Sequence, residues 1–170
     1  ANVQTSVSNL VAFTRAYGAF SDNADQTGSV SAGTAMVFNS TDVADGVTLA
    51  SNSHLVVPND GIYNLQFSAQ ILNFTSAEDN VTIWFALNGN AIPATASIAE
   101  VPTKHGTSPG AYIMTVNILQ ALAAGDYIQL KWLSETGNSV IATAPAGTSP
   151  AHPTSPSLIV TATFVSAFPG

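Results

Sequence analysis

The stretch that decides the fold runs Pro58-Asn59-Asp60-Gly61-Ile62-Tyr63-Asn64-Leu65-Gln66-Phe67-Ser68-Ala69-Gln70-Ile71. It opens on a proline and an Asn-Asp-Gly turn sequence, whose residues reach positive φ cheaply. Behind the turn, Tyr63, Leu65, Phe67, Ala69 and Ile71 fall on one side of an extended chain, with Asn64, Gln66, Ser68 and Gln70 on the other. Successive side chains of a strand point to opposite faces, so the pattern predicts one buried apolar face and one polar face. Half-buried strands of this kind belong to antiparallel sheets, because parallel sheets are covered on both sides and read as unbroken apolar runs.

The alternation recurs along the chain. Val81, Ile83, Phe85 and Leu87 alternate with Thr82, Trp84, Ala86 and Asn88. Ile128, Leu130 and Trp132 alternate with Tyr127, Gln129 and Lys131, and Leu158, Val160, Ala162 and Phe164 with Ile159, Thr161, Thr163 and Val165. Shorter strands are expected at 16–21, 34–39, 46–50, 54–57, 92–98, 111–119 and 138–143. Asp45-Gly46, Asn88-Gly89 and Thr136-Gly137-Asn138 supply turns between them. Gln120-Ala121-Leu122-Ala123-Ala124 has helical composition but stops at Gly125, so it reads as a turn at most. Many short strands and no convincing helix predict an all-β, antiparallel β-sandwich of the jelly-roll kind. Its core is expected to hold Tyr63, Leu65, Phe67, Ile83, Phe85, Ile128, Leu130 and Trp132.

A chain of 170 residues fits one domain and buries roughly 70% of its unfolded surface, enough for a core without staples. With no cysteine, thiol catalysis and Cys-ligated zinc are excluded. Only 8% of residues are charged, against about 25% in an ordinary domain, so Ser, Thr, Asn and Gln must keep the surface wet. The net charge is −7, and Arg15, Lys104 and Lys131 are the only Lys or Arg. Nucleic-acid and anionic-membrane binding both draw on clustered Lys and Arg, so neither partner is expected. No apolar run approaches the roughly eighteen residues of a membrane span. The start, Ala1-Asn2-Val3-Gln4, has neither the basic nor the apolar region of a signal peptide and reads as a chain trimmed of its initiator Met.

Two segments stand apart. Residues 1–15 are expected to form an N-terminal arm ahead of a jelly-roll domain at 16–170. One reading of this segment is a frayed chain end; the other is an arm docked on a neighbour, since Leu10, Val11 and Phe13 make it too apolar for a plain disordered tail. Residues 144–157 hold four of the nine prolines and are expected to be a long exposed loop outside any sheet.

No constellation of catalytic residues is legible. His54, His105 and His152 lie on separate segments without metal-ligand spacing, and no G-x-S-x-G elbow occurs. Asp22, Asp25, Asp42, Asp45, Asp60, Glu78, Asp79 and Glu135 all fall at expected turns, where Asp commonly hydrogen-bonds its own backbone. Asp22-Asn23-Ala24-Asp25 and Asp42-Val43-Ala44-Asp45-Gly46 offer oxygen ligands but lack the calcium-loop pattern. Sequons at Asn39, Asn73 and Asn80 are as frequent as chance predicts in so Asn-, Ser- and Thr-rich a chain. The expectation is a non-enzymatic protein with no cofactor and no metal. Trp84 and Tyr127 lie on the non-core side of their strands, where large aromatics mark either a covering loop or a subunit interface.

Three motifs carry a resemblance. Pro58-Asn59-Asp60-Gly61-Ile62-Tyr63-Asn64-Leu65-Gln66-Phe67 resembles the P-x-x-G-x-Y-x-F strand entry of C1q and tumour-necrosis-factor-like jelly rolls. Leu87-Asn88-Gly89-Asn90 resembles their L-N-G-x hairpin, and Leu122-Ala123-Ala124-Gly125-Asp126-Tyr127-Ile128-Gln129-Leu130 their L-x-x-G-D-x-I-x-L strand entry. They occur in the family's order over roughly 16–168, and Ala16-Tyr17-Gly18-Ala19-Phe20 fits its first strand. No collagen-like stalk or membrane anchor is found, and the Ser/Thr/Ala/Asn-rich composition is more similar to the TNF-like domains of tailed-phage structural proteins. The resemblance implies a homotrimer, with Trp84, Ile113, Tyr127 and Val165 as interface candidates beside Leu10, Val11 and Phe13 of the arm. It further implies a capsid decoration or cement protein on the virion exterior, bound to a capsid shell protein or another virion component. The alternatives are the receptor- or glycan-binding tip of a tail fibre or spike, and a secreted C1q-like binding domain.

Overall fold

The computed structural model describes residues 16–168; the expected arm, with Leu10, Val11 and Phe13, lies outside them. Eight strands build the fold: β1 Tyr17–Asp22, β2 His54–Val56, β3 Gly61–Asn73, β4 Asp79–Leu87, β5 Ser97–Val101, β6 Gly110–Leu122, β7 Tyr127–Ser134 and β8 Leu158–Ser166. Sheet one has the order β6-β3-β8-β1, flanked beyond β1 by a strand at Ser40–Asp45. Sheet two has the order β5-β4-β7-β2, flanked beyond β2 by Thr48–Ala50. The pairs β1 with β8, β2 with β7, β3 with β6 and β4 with β5 are all antiparallel. First pairs with last, second with next to last, and so inward, as in one long hairpin wound into two packed sheets. That winding is a jelly roll.

The expected core holds. Tyr63, Leu65, Phe67, Ile83, Phe85, Ile128, Leu130 and Trp132 are all buried, while Gln66 between them is exposed. Phe67 of sheet one meets Phe85 of sheet two edge to face, with centroids 5.6 Å apart. Tyr63 packs edge-on against Phe164 and donates its hydroxyl to the Asn59 carbonyl at 3.0 Å, so the one polar atom of its ring is satisfied. At the end of β4, Asn88 and Gly89 take φ of 50° and 84° and reverse the chain into Asn90–Ala91. Positive φ at both central residues gives the twist that a tight hairpin between right-twisted strands requires.

Several boundaries differ from the sequence reading. Ser40–Asp45 is a strand, so Asp42 and Asp45 sit on a sheet edge rather than in turns. Its Ser-Thr-Asp-Val-Ala-Asp sequence shows no alternation because almost all of it is exposed, and it is held by pairing with β1. The strand expected at 34–39 contracts to Thr34–Ala35. The strand expected at 92–98 gives way to Asn90–Ala91 and Ser97–Val101, and 120–122 complete β6. The proline-rich stretch joins neither main sheet, but it is more than a loop: Gly147–Thr148 pairs with Ala151–His152, and Ala144 bridges Ser155. Proline excludes a chain from an inner strand, not from a two-stranded ribbon whose outer edges face water.

Candidate assembly surface

Once the sandwich has buried its two inner faces, its two outer faces remain, and they differ in kind. Sheet two is dressed by its own chain. Trp84 packs against Gly33 so closely that a Cβ added to the glycine would lie 2.3 Å from the indole. Tyr127 stacks on His54 with ring centroids 4.0 Å apart and planes 13° from parallel. Asn88 donates to Asp126 at 2.7 Å and accepts from the Tyr127 amide at 3.0 Å, while Lys131 Nζ donates to the Gly89 carbonyl at 3.0 Å. Trp84 and Tyr127 are therefore half-buried within one chain.

Sheet one is bare. No Asp, Glu, Lys or Arg occurs anywhere on β3, β6 or β8. Register sets the outward side chains in rows across the three strands: Thr115, Ser68 and Ile159; Asn117, Gln66 and Thr161; Leu119, Asn64 and Thr163. Hydroxyls and amides fill the middle, where Asn117 donates to Asn64 at 2.8 Å. Aliphatic groups stand toward the two ends, with Ile113 and Leu119 each 63% exposed, Val165 53% and Ile159 39%. Ile113 and Ile159 face each other across a shallow cleft completed by Ser68, Gln70, Ser155 and Pro156. Beyond β1, the flanking strand Ser40–Asp45 carries Asp42 and Asp45.

Of the residues expected from sequence, the structure thus sets Trp84 and Tyr127 on one sheet and Ile113 and Val165 on the other. It adds Leu119 and Ile159 to the second pair. Both were legible in principle, since Leu119 shares the parity of Ile113, and Ile159 that of Val165.

Two buried carboxylates hold loops rather than line a site. Asp79, at the start of β4, accepts from the Ser134 hydroxyl and from the Thr136 and Ser139 amides. Burial pushes its carboxyl up, but the hydrogen bonds from Ser134, Ser139 and Thr136 outweigh it and hold the pKa below the usual carboxylate value. Asp22, at the end of β1, is raised instead, because burial there outweighs the hydrogen bond from Gln26. Asp60 and Asp126 accept from the Ala124 and Ala123 amides and fix the turn into β7. These acids are engaged with backbone, side-chain amide and hydroxyl donors. Among the described residues no three His, Cys, Asp or Glu side chains gather as metal ligands.

No protein-family model matches the chain, and no curated protein matches it in sequence. The structure is thus an antiparallel jelly roll in which Trp84 and Tyr127 on sheet two pack against their own chain, while β3, β6 and β8 of sheet one present an outer side without Asp, Glu, Lys or Arg.

Proposed function

We propose that this chain works by binding and assembly: a C1q/TNF-like jelly roll that associates as a homotrimer and decorates or cements a phage capsid. The observation that carries the proposal is the outer face of β3, β6 and β8, free of charge and bearing exposed Ile113, Leu119, Ile159 and Val165. Depletion of charge at the centre, with a polar rim, is the composition of a protein interface. Removing hydroxyls and amides from water costs little where they pair across a contact, whereas a lone buried charge costs several kcal/mol. The jelly-roll winding and the three motifs support the family reading, and the Ser/Thr/Asn-rich, weakly charged composition supports a virion location. Attachment at many repeated shell sites turns modest individual affinity into stable decoration.

Counting copies in purified virions by quantitative mass spectrometry tests the location. Hundreds of copies per particle are expected for decoration. A dozen or so would move the protein to the tail and favour the fibre-tip alternative, and none would defeat a virion role.

A further inference from the structure

We propose that the free edge of β6 is a second self-association site, where two copies pair antiparallel about a two-fold axis at Val116 and join their sheets. β6 is an edge strand of 13 residues, and among the described residues only β3 pairs with it along its length. Its free backbone groups can be assigned. The Gln70 amide donates to Ser157 O, and the Gln70 carbonyl accepts from the Ala142 amide. Gln70 therefore spends both groups on the side away from β6. Its β6 partner, Ile113, is then in a non-hydrogen-bonded pair and turns its own N–H and C=O to the open edge. By alternation Thr115, Asn117 and Leu119 do the same, and all four are exposed.

Long open edges are ordinarily blunted by a charge, a proline, a bulge or short length. β6 has none of these: its sequence Gly-Ala-Tyr-Ile-Met-Thr-Val-Asn-Ile-Leu-Gln-Ala-Leu carries no charge and no proline, and its register with β3 runs unbroken. At the opposite end of sheet one, β1 is capped by Ser40–Asp45 with its two acids. The protection is one-sided.

A second copy fits this edge better than an arbitrary strand, because the sequence is self-complementary about Val116. A two-fold there sets Ile113 opposite Leu119 of the second copy, twice, and Thr115 opposite Asn117. The two most exposed aliphatic side chains of the strand meet each other, and hydroxyls meet amides. Both members of each pair point their backbone groups at the partner, so the ladder closes without a slip, and no like charges face one another. The edge is roughly 44 Å long and about 10 Å thick, which gives on the order of 400 Å² per copy. That is about half of a standard interface, so the pair is expected to be concentration-dependent. The edge lies at right angles to the outer face of the sheet, so the proposal does not rest on the trimer.

The chain has no cysteine, which allows an unambiguous test by single-thiol crosslinking of the full chain. Val116→Cys places two thiols at a non-hydrogen-bonded antiparallel pair, within disulfide reach. It is expected to link on mild oxidation on the order of tenfold faster than Ser76→Cys, an exposed loop control, because pairing raises the effective thiol concentration. Ile113→Cys and Leu119→Cys, both at exposed positions, are expected to link with each other when mixed and poorly when alone. Adding Thr115→Pro to Val116→Cys, which removes one N–H of the open edge and leaves the aliphatic groups of the outer face in place, should abolish its advantage. Linking of Val116→Cys no faster than the control, or of the mixed pair no better than each alone, overturns the proposal. Sedimentation of the untreated protein reads the trimer separately, so the two proposals fail independently.

Discussion

Trp84 of β4 packs directly on Gly33, with no room between them for a methyl group: a Cβ at Gly33 would stand 2.3 Å from the indole. The contact turns an outward-facing aromatic on sheet two into part of the chain's own surface packing. Gly33→Val is expected to displace the indole toward water while leaving the sandwich folded, at about 1–3 kcal/mol for the forced rearrangement. Trp132, the second tryptophan, is fully buried, so a red shift in emission reports Trp84. An unchanged spectrum with unchanged stability would show that the loop moves instead.

Phe67 joins the two sheets through its edge-to-face contact with Phe85. Phe67→Ala leaves a cavity between them, and chemical denaturation should record a loss of about 3–5 kcal/mol. A loss below about 1 kcal/mol would mean that the sheets close over the gap. Phe67→Leu, which keeps most of the volume, is expected to fall well short of the alanine variant.

The core was legible because burial on one face writes itself into the sequence as alternation, strongest in β3, β4, β7 and β8; the winding was expected from the many short strands and the resemblance of three motifs, since alternation does not say which strands pair. Ser40–Asp45 was not legible. Its side chains are almost all exposed, so only a backbone ladder to β1 makes it a strand, and backbone groups are the same in every sequence. Asp79 was read as a turn former because its partners, Ser134 and Ser139, lie 55 and 60 residues away. The candidate surface was half legible: Ile113 and Val165 stood out, but its lack of charge emerges only when β3, β6 and β8 are set side by side.

Asp79 gives a pH dependence with a definite sign. Its folded pKa lies below the ordinary carboxylate value, so the stabilisation is complete above about pH 4 and fades as pH falls through the folded pKa. Asp79→Asn removes that contribution, and the other carboxylates titrate alike in both proteins. The stability gap between wild type and variant, read by urea unfolding, is expected to be larger at pH 7 than at pH 3. Equal gaps would assign the loop's anchoring to shape rather than to charge.

Asp22 has the opposite sign. Its raised pKa means that ionisation opposes folding as pH rises above the ordinary carboxylate value. Asp22→Asn retains an acceptor for Gln26 and is expected to match or exceed wild-type stability at pH 7, the reverse of Asp79→Asn. A loss as large as that of Asp79→Asn, in the same unfolding experiment, would contradict the assignment.

The central claim is that the uncharged face of sheet one is an assembly surface. Sedimentation velocity at micromolar concentration, on the wild type and on Ile159→Asp, tests it most directly. Ile159 lies on that face outside the core, so the variant should keep the wild-type fold and melting behaviour while placing an unpaired charge in any desolvated contact. The prediction is a wild type that sediments at three times the chain mass, or at a multiple of that trimer where β6 edges also pair, and a variant whose trimer is lost. A wild type that remains a stable monomer, or an Ile159→Asp variant that assembles as well as the wild type, would contradict the account.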